Sequence, residues 1–345
     1  MILARLLRSN LFIKISSWEY WPFGIVHAPL FPYWLWLSLK ARSMIFFSAS
    51  NPGMLMGGMF GESKFDVMSG VPSEVKPKTI LIKLPTTRQD VLDQMTRNEL
   101  TFPLIFKPDL GERGWRVKKI RTGQEIDDYL KEINIPFLVQ EYVDLPQEFG
   151  VFYVRYPSEA NGRVTSIVGK EMLSVTGDGT RTLQDLILEK DRAKLQWDSL
   201  RVMYRDSLRE RIPNGKEIEL VSIGNHCLGT KFLNSNHLIT DRLSASFDAI
   251  SKKIDGFYFG RFDLRTTSHV DLEEGRVMIM ELNGCGAEPA HIYQPGFPLL
   301  EASRVLFKHW SDIYRVSVEN HHRGAPYLSF REARTIYKKF KALTA

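Results

Sequence analysis

Asp263, Glu281 and Asn283 could together hold a cation beside an anionic substrate. Asp263 lies in Gly260-Arg261-Phe262-Asp263-Leu264-Arg265, and the other two in Val277-Met278-Ile279-Met280-Glu281-Leu282-Asn283. The turn-rich stretch Glu273-Glu274-Gly275 separates these strand-like segments. Residues two apart in a strand share a face. Arg261, Asp263 and Arg265 therefore line one face of the first strand, and Glu281 and Asn283 one face of the second. Antiparallel pairing would bring Asp263 close to Glu281 and Asn283. Two carboxylates and an amide oxygen are hard donors that suit Mg²⁺ beside phosphate groups. The competing reading is a polar face turned to water, but ionic residues alternating inside apolar strands are costly without a partner.

Further candidates lie upstream. Phe102-Pro103-Leu104-Ile105-Phe106-Lys107-Pro108-Asp109 reads as a buried strand with a lysine near its end, followed by the turn Leu110-Gly111-Glu112-Arg113-Gly114-Trp115-Arg116-Val117. Backbone N–H groups freed by glycine can approach phosphate oxygens, and a lysine adds a point charge. Phe137-Leu138-Val139-Gln140-Glu141-Tyr142-Val143 is another strand, with Glu148 just beyond it in Pro146-Gln147-Glu148-Phe149-Gly150-Val151. Ser166-Ile167-Val168-Gly169-Lys170 ends on a second lysine, and Val175-Thr176-Gly177-Asp178-Gly179-Thr180-Arg181-Thr182-Leu183 is a Gly-Asp-Gly turn opening a helix. Taken singly, the glycine turn could be an ordinary hairpin, and Glu141 and Glu148 two solvated acids at a strand end.

As an ordered set over about residues 79–310, these segments resemble the ATP-grasp superfamily. The likeness is greatest to its D-alanine–D-alanine ligase-like branch and the ligase module of cyanophycin synthetase. The resemblance implies an α+β ATP-grasp fold whose two lobes clasp ATP. It places Lys107, Gly111, Gly114 and Lys170 against the phosphates. Gln140, Glu141, Tyr142 and Val143 form the adenine hinge, and Glu148 takes the ribose hydroxyls. Asp263, Glu281 and Asn283 hold Mg²⁺, two ions in the family pattern, and Arg261 steadies the acylphosphate and the oxyanion. Gly286, Glu288 and His291 would line the acceptor pocket. The implied reaction is ATP-dependent ligation of a carboxylate to an amine through an acylphosphate, with Arg261 and Lys170 as the catalytic cations. The alternatives are a non-catalytic nucleotide-binding scaffold, or a phosphotransferase that stops at the phosphorylated product. The loop is leaner in glycine than the family's and carries Trp115 and Arg116 where small residues often sit. The resemblance divides the chain into an atypical N-terminal region (1–78), a first lobe (79–170), a second lobe with the metal site (171–312) and a tail (313–345).

Composition agrees. The chain has 345 residues, 43% of them hydrophobic, enough for two or three lobes around substantial cores. Its net charge of +6 suits ATP and a carboxylate substrate, and also an anionic membrane surface. No lysine/arginine run or nucleic-acid motif occurs, so nucleic acid is not an expected partner. The expected partners are small-molecule or lipid-linked carboxylates and amines. With only Cys227 and Cys285, a disulfide framework is not expected and the reducing cytoplasm fits. Cys285 reads as a small pocket-lining residue, because no ordered base can be named for it.

These residues need elements to hold them. Thr122-Gly123-Gln124-Glu125 is a capping box that opens a helix toward Ile133. Strands are expected near 136–143, 148–156, 163–170 and 217–223. Helices are expected over about 183–211, 240–254 and 298–310, with a solvated helix in the tail. Gly224-Asn225-His226-Cys227-Leu228-Gly229-Thr230-Lys231 is similar to a phosphate loop, but its final lysine and hydroxyl are in the wrong order. His226, Cys227 and His237 match no common zinc spacing and read as structural. The N-terminus is the least family-like part. Ile2, Leu3, Leu6, Leu7, Leu11 and Phe12 alternate with Arg5, Arg8 and Lys14, the composition of a basic interfacial helix. Tyr20 to Leu39 holds no charged residue besides histidine and is rich in aromatics, but Pro22, Pro29 and Pro32 argue against a spanning helix. Three readings stay open for this region: core or lid over the acceptor site, contact with the anionic inner face of a membrane or a lipid substrate, and, least favoured because of the prolines, a true span.

Overall fold

The computed structural model describes residues 9–111, 114–221, 224 and 226–344. Glu112, Arg113 and Asn225 fall outside these, as do the first residues of the basic N-terminal segment.

Two antiparallel sheets organise the chain. The first has the order β1-β4-β2-β3, from β1 (Thr79–Ile82), β2 (Leu104–Pro108), β3 (Lys118–Ile120) and β4 (Phe137–Glu141). Alternation assigns its faces. Leu104, Phe106, Ile120, Phe137 and Val139 turn toward helices Arg88–Arg97 and Gly123–Glu132 and form one core. Lys107 and Gln140, one residue out of phase, turn to the other face. Thr87 caps the first helix in a reciprocal capping box with Asp90, and the Thr122 side chain accepts from Glu125 N at the start of the second.

The second sheet has the order β11-β10-β5-β6-β9, from β5 (Gln147–Val154), β6 (Arg163–Glu171), β9 (Lys231–Asn234), β10 (Phe259–Thr266) and β11 (Met278–Asn283). The chain changes sheets between Glu141 and Gln147, so the strand carrying Lys170 belongs to this second sheet. Phe149, Val151, Ile167, Phe262, Leu264, Ile279 and Leu282 fill one face, against Leu243, Phe247 and Ile250 of helix Asp241–Lys252.

Between the sheet strands sits a two-stranded hairpin, β7 (Leu173–Thr176) with β8 (Glu217–Val221). The single helix expected over 183–211 is instead three short ones: Leu183–Glu189, Asp191–Lys194 and Trp197–Met203. Lys190 takes extended dihedrals (φ −83°, ψ 108°) and breaks the first from the second. The breaks let Leu183, Leu186, Ile187, Ala193 and Leu200 all reach the small core beneath the hairpin, which a straight helix could not.

The helix near 298–310 runs on to His322 as Leu299–His322, and the N-terminal region packs along it. Leu37, Phe46, Phe47 and Met56 bury against Ile313 and Val316, and Val26 and Leu30 against Ala302 and Leu306. Pro22 and Pro29 stand immediately before helices Phe23–His27 and Leu30–Ala41, while Pro32 is accommodated in the first turn of the second. Among the described residues no helix is long and apolar enough to cross a membrane. The tail helix, Phe330–Thr344, is solvated on one side only. Ala333 is buried, and Phe60 meets Tyr337 edge to face at 5.6 Å.

Candidate functional site

Strands β10 and β11 pair antiparallel, with Asp263 opposite Glu281 and Arg261 opposite Asn283. Directly opposed residues share a face. The register then shifts, with Leu264 opposite Ile279, so that Met280 is the extra residue of a β-bulge. Bulged residues leave the regular ladder. The Met280 carbonyl here accepts instead from Lys107 Nζ at 3.0 Å and Gln140 Nε2 at 3.4 Å, both on the first sheet. Gln140 Oε1 also accepts from Lys107 Nζ at 3.0 Å, and its amide donates to Thr79 Oγ1. The polar faces of the two sheets therefore meet at Lys107.

On the second sheet, Arg265, Glu148 and Lys170 stand opposite one another on three adjacent strands. The charges alternate along this row: Glu148 Oε1 meets Lys170 Nζ at 3.1 Å, and Oε2 meets Arg265 Nε at 2.9 Å. In the next row, Asp263, Gly150 and Val168 are opposed. Gly150 is required there. A Cβ at this position would lie 2.8 Å from Val168 Cγ1, 3.1 Å from Arg261 Cδ and 3.3 Å from Asp263 Oδ1. Lys170 Nζ lies 3.0 Å from Asp263 Oδ1, and Arg261 Nη2 and Asn283 Nδ2 donate to Asp263 Oδ2 at 3.0 and 2.9 Å.

Sequence patterning missed Lys64, which sits at the start of helix Lys64–Ser69 in the N-terminal region and bonds Glu281 Oε1 at 2.7 Å. Asp109 positions that helix start by accepting from Ser63 Oγ and Phe65 N, both at 2.9 Å. The role of Arg265 beside Glu148 was also not read from its strand position. No local signal marks Lys64, and the alternation that puts Arg265 on the face of Asp263 does not name Glu148 as its partner, since both contacts cross long stretches of chain.

The electrostatics follow from this crowding. Burial disfavours the Lys107 ammonium and outweighs the attraction of Glu281, bringing its pKa down to about 8. Burial alone would raise the Glu281 carboxyl, but Lys64 and Lys107 overcome that and hold it at about 2. For Asp263 too, burial opposes ionisation, and Arg261 with Lys170 reverses it. The cluster has Lys64, Lys107, Lys170, Arg261 and Arg265 around Asp263, Glu281 and Glu148. Glu62 and Asp109 also attract Lys64, and Glu288 attracts Arg261, so acids from several elements balance the buried cations.

The metal donors fit in kind. Asp263 and Glu281 are adjacent carboxylates on one face, Asn283 is beside them, and buried Asp263 Oδ1 has a charge contact with Lys170 but no hydrogen bond of good geometry. Among the described residues there is no cluster of three histidine, cysteine or acidic side chains that could hold a metal ion.

The other expected residues are dispersed. Gly111 and Gly114 both have positive φ, 145° and 73°, in the loop after β2. Glu141 is exposed and accepts from Lys78 N at 3.2 Å, outside the cluster. The Tyr142 ring lies under Lys119 Nζ, and Val143 O accepts from Arg265 at 3.0 Å. Glu288 follows β11. Its backbone carbonyl accepts from Arg261 at 3.1 Å, while its carboxylate bonds Tyr293 OH at 2.6 Å and His27 Nε2. His27 Nδ1 faces the Phe23 carbonyl at 2.9 Å, so a doubly protonated imidazolium satisfies both neighbours. Burial would lower the His27 pKa, but Glu288 raises it. Burial drives His291 down to about 4 and keeps it neutral. Cys285 is fully enclosed and its thiol is pushed up to about 12 by burial, which removes it as a nucleophile at neutral pH. His226 Nε2 bonds Glu19 at 2.8 Å, and Glu19 also pairs with Arg192 at 2.7 Å.

No family model and no curated protein matches this sequence. Solved structures do. A D-alanine–D-alanine ligase from Bacillus anthracis matches at TM-score 0.41 and 14% identity, covering 79% of this chain and 71% of that one. The VanG D-Ala:D-Ser ligase from Enterococcus faecalis matches at TM-score 0.42 and 14% identity, covering 76% of this chain and 62% of that one. A carboxyaminoimidazole ribonucleotide synthase from Aspergillus clavatus, complexed with ATP, matches at TM-score 0.39 and 11% identity, covering 66% of this chain and 45% of that one. These likenesses are distant, and the α+β architecture stands on the strand order and register of the chain itself.

Proposed function

We propose that this chain is an ATP-grasp enzyme that joins a carboxylate to an amine at the expense of ATP. The observation that carries the reading is the meeting of two polar sheet faces at Lys107, with Asp263 opposite Glu281 on the second. In this reading the triphosphate lies between the sheets. Lys107 and Lys170 take phosphate oxygens, the loop with Gly111 and Gly114 covers them, and the strand end from Gln140 to Val143 holds adenine. Glu148 takes the ribose hydroxyls once the nucleotide draws Lys170 and Arg265 toward its phosphates.

Asp263, Glu281 and Asn283 would hold Mg²⁺, which supplies charge neutralisation in phosphoryl transfer. The carboxylate substrate accepts the γ-phosphoryl group, giving an acylphosphate and ADP. Arg261 bridges Asp263 and the Glu288 carbonyl, and in this reading it steadies the acylphosphate and then the tetrahedral oxyanion. The amine attacks the acyl carbon, phosphate leaves, and the amine gives up its proton. Glu288 and His291 stand on the acceptor side. The substrates are small or lipid-linked carboxylates and amines, and the compartment is the ATP-bearing cytoplasm.

ADP release with a panel of carboxylates and amines tests the reaction. The ligase reading expects release that needs both partners. Release with one partner alone, leaving a stable phosphorylated product, would make the protein a phosphotransferase. Nucleotide binding without release would make it a scaffold.

A further inference from the structure

The N-terminal helices bury one side and leave a large apolar side uncovered. In helix Asn10–Ser16, Ile13 is buried while Leu11 and Ile15 are exposed. In helix Leu30–Ala41, Leu30 and Leu37 are buried while Phe31 is 60% and Leu39 77% exposed. Between them, Phe23 and Ile25 point outward at 60% and 57% exposure, and His27 of the same short helix points inward to Glu288. Single exposed apolar residues are ordinary, but a run of them on consecutive helices marks a contact surface.

Charge says what covers it. Glu19 is the sole acid before Glu62, and it is buried in its pairs with Arg192 and His226. The same span carries Arg5, Arg8, Lys14, Lys40 and Arg42. Lys40 Nζ sits 4.5 Å from the ring of half-exposed Trp36, joining a cation to an interfacial aromatic. Exposed leucine, isoleucine and phenylalanine on a segment whose charged residues, Glu19 apart, are all cations complement an anionic bilayer, whose headgroups meet the cations while its acyl boundary takes the apolar side chains. A second copy of this chain would oppose cations to cations, so self-association on this face is disfavoured. We propose that helices Asn10–Ser16, Phe23–His27 and Leu30–Ala41 form a docking face for an anionic membrane surface.

The test is flotation of the full chain with vesicles of phosphatidylglycerol and phosphatidylcholine, or of phosphatidylcholine alone. It requires no turnover, so its outcome is separate from that of the ligase reading. The wild-type chain should float with the anionic vesicles at low salt and progressively less as salt rises. It should float poorly with neutral vesicles. The variant I25S/F31S/L39S changes exposed positions only, and should lose at least tenfold in vesicle partitioning while keeping the wild-type thermal transition. K14E/K40E should lose binding to anionic vesicles in particular. The proposal is overturned if the wild-type chain stays unbound with anionic vesicles at low salt, or if I25S/F31S/L39S partitions as the wild type does. It is also overturned if the wild-type chain is a dimer that this variant converts to a monomer, since a second copy then covers the face.

Discussion

Lys107 Nζ and the carbonyl oxygen of Met280 lie 3.0 Å apart, and this contact joins the two sheets. It exists because a bulge opposite Asp263/Leu264 frees the Met280 carbonyl from the ladder just before Glu281. The bulge thus aims one strand at a lysine on the other sheet, beside the paired carboxylates.

Replacing that lysine separates phosphate from base recognition. Lys107→Ala should weaken ATP binding by about 1.5–3 kcal/mol, the scale of a lost charge-assisted contact. Adenosine, which has no phosphates, should bind nearly unchanged. Calorimetric titration of both ligands checks this, and equal weakening would make Lys107 purely structural.

The depressed Lys107 pKa gives a pH signature. Burial holds the folded value at about 8, below the usual lysine range. Above that pH the free protein has lost a proton that the unfolded chain keeps. Stability from this group therefore rises from about pH 8 to about 10.4, where the unfolded lysine titrates. Bound phosphates favour the charged form, so ATP binding at pH about 8.5 should take up a proton. Titrations in two buffers of different ionisation heat would reveal it. Lys107→Arg, always charged, should show no uptake.

Glu148 holds two cations apart. Its removal in Glu148→Ala leaves Lys170 and Arg265 without their shared carboxylate and should cost about 3 kcal/mol, near the lower end for breaking a buried ion pair. Urea unfolding measures that cost. If Glu148 also takes the ribose, the variant should bind ATP and 2′-deoxy-ATP almost alike. A retained preference for ATP would count against that role.

Gly150→Ala tests the packing under the carboxylates. The added methyl would press on Val168 at 2.8 Å within the sheet, and on the Arg261 and Asp263 side chains. A loss of about 1–3 kcal/mol in unfolding free energy is expected, as for overpacked cores. Weaker Mg²⁺-dependent ATP binding should accompany it. Unchanged binding would mean that Asp263 and Arg261 need not keep their present positions.

Much of this was legible in the alternation of β2, β6, β10 and β11, because a period of two fixes which residues share a face. Asp263 opposite Glu281 follows from such a pattern and one turn. The bulge at Met280 does not, since Val277 to Asn283 has no sequence mark at the inserted residue. Lys64 was missed because its partner Glu281 is far along the chain and its own helix has only six residues. The helices after Leu183 read as one in sequence because neither break, at Lys190 or at Leu195-Gln196, carries a proline or glycine, and only packing under the hairpin requires them. Among the N-terminal aromatics, composition could not separate Trp34, packed toward the helix Leu299–His322, from exposed Phe31, because both lie in one apolar run.

The ligase reading turns on Glu281. This residue faces Asp263, is held ionised by Lys64 and Lys107, and is assigned to Mg²⁺. The measurement is Mg²⁺-dependent ADP formation by wild-type chain and Glu281→Gln, with the carboxylate and amine that give wild-type turnover. The wild-type rate should depend on Mg²⁺, and the variant should lose that rate by 100-fold or more, the order expected for about 2.7 kcal/mol of transition-state stabilisation. Unchanged Mg²⁺-dependent ADP formation by Glu281→Gln would contradict the ligase reading.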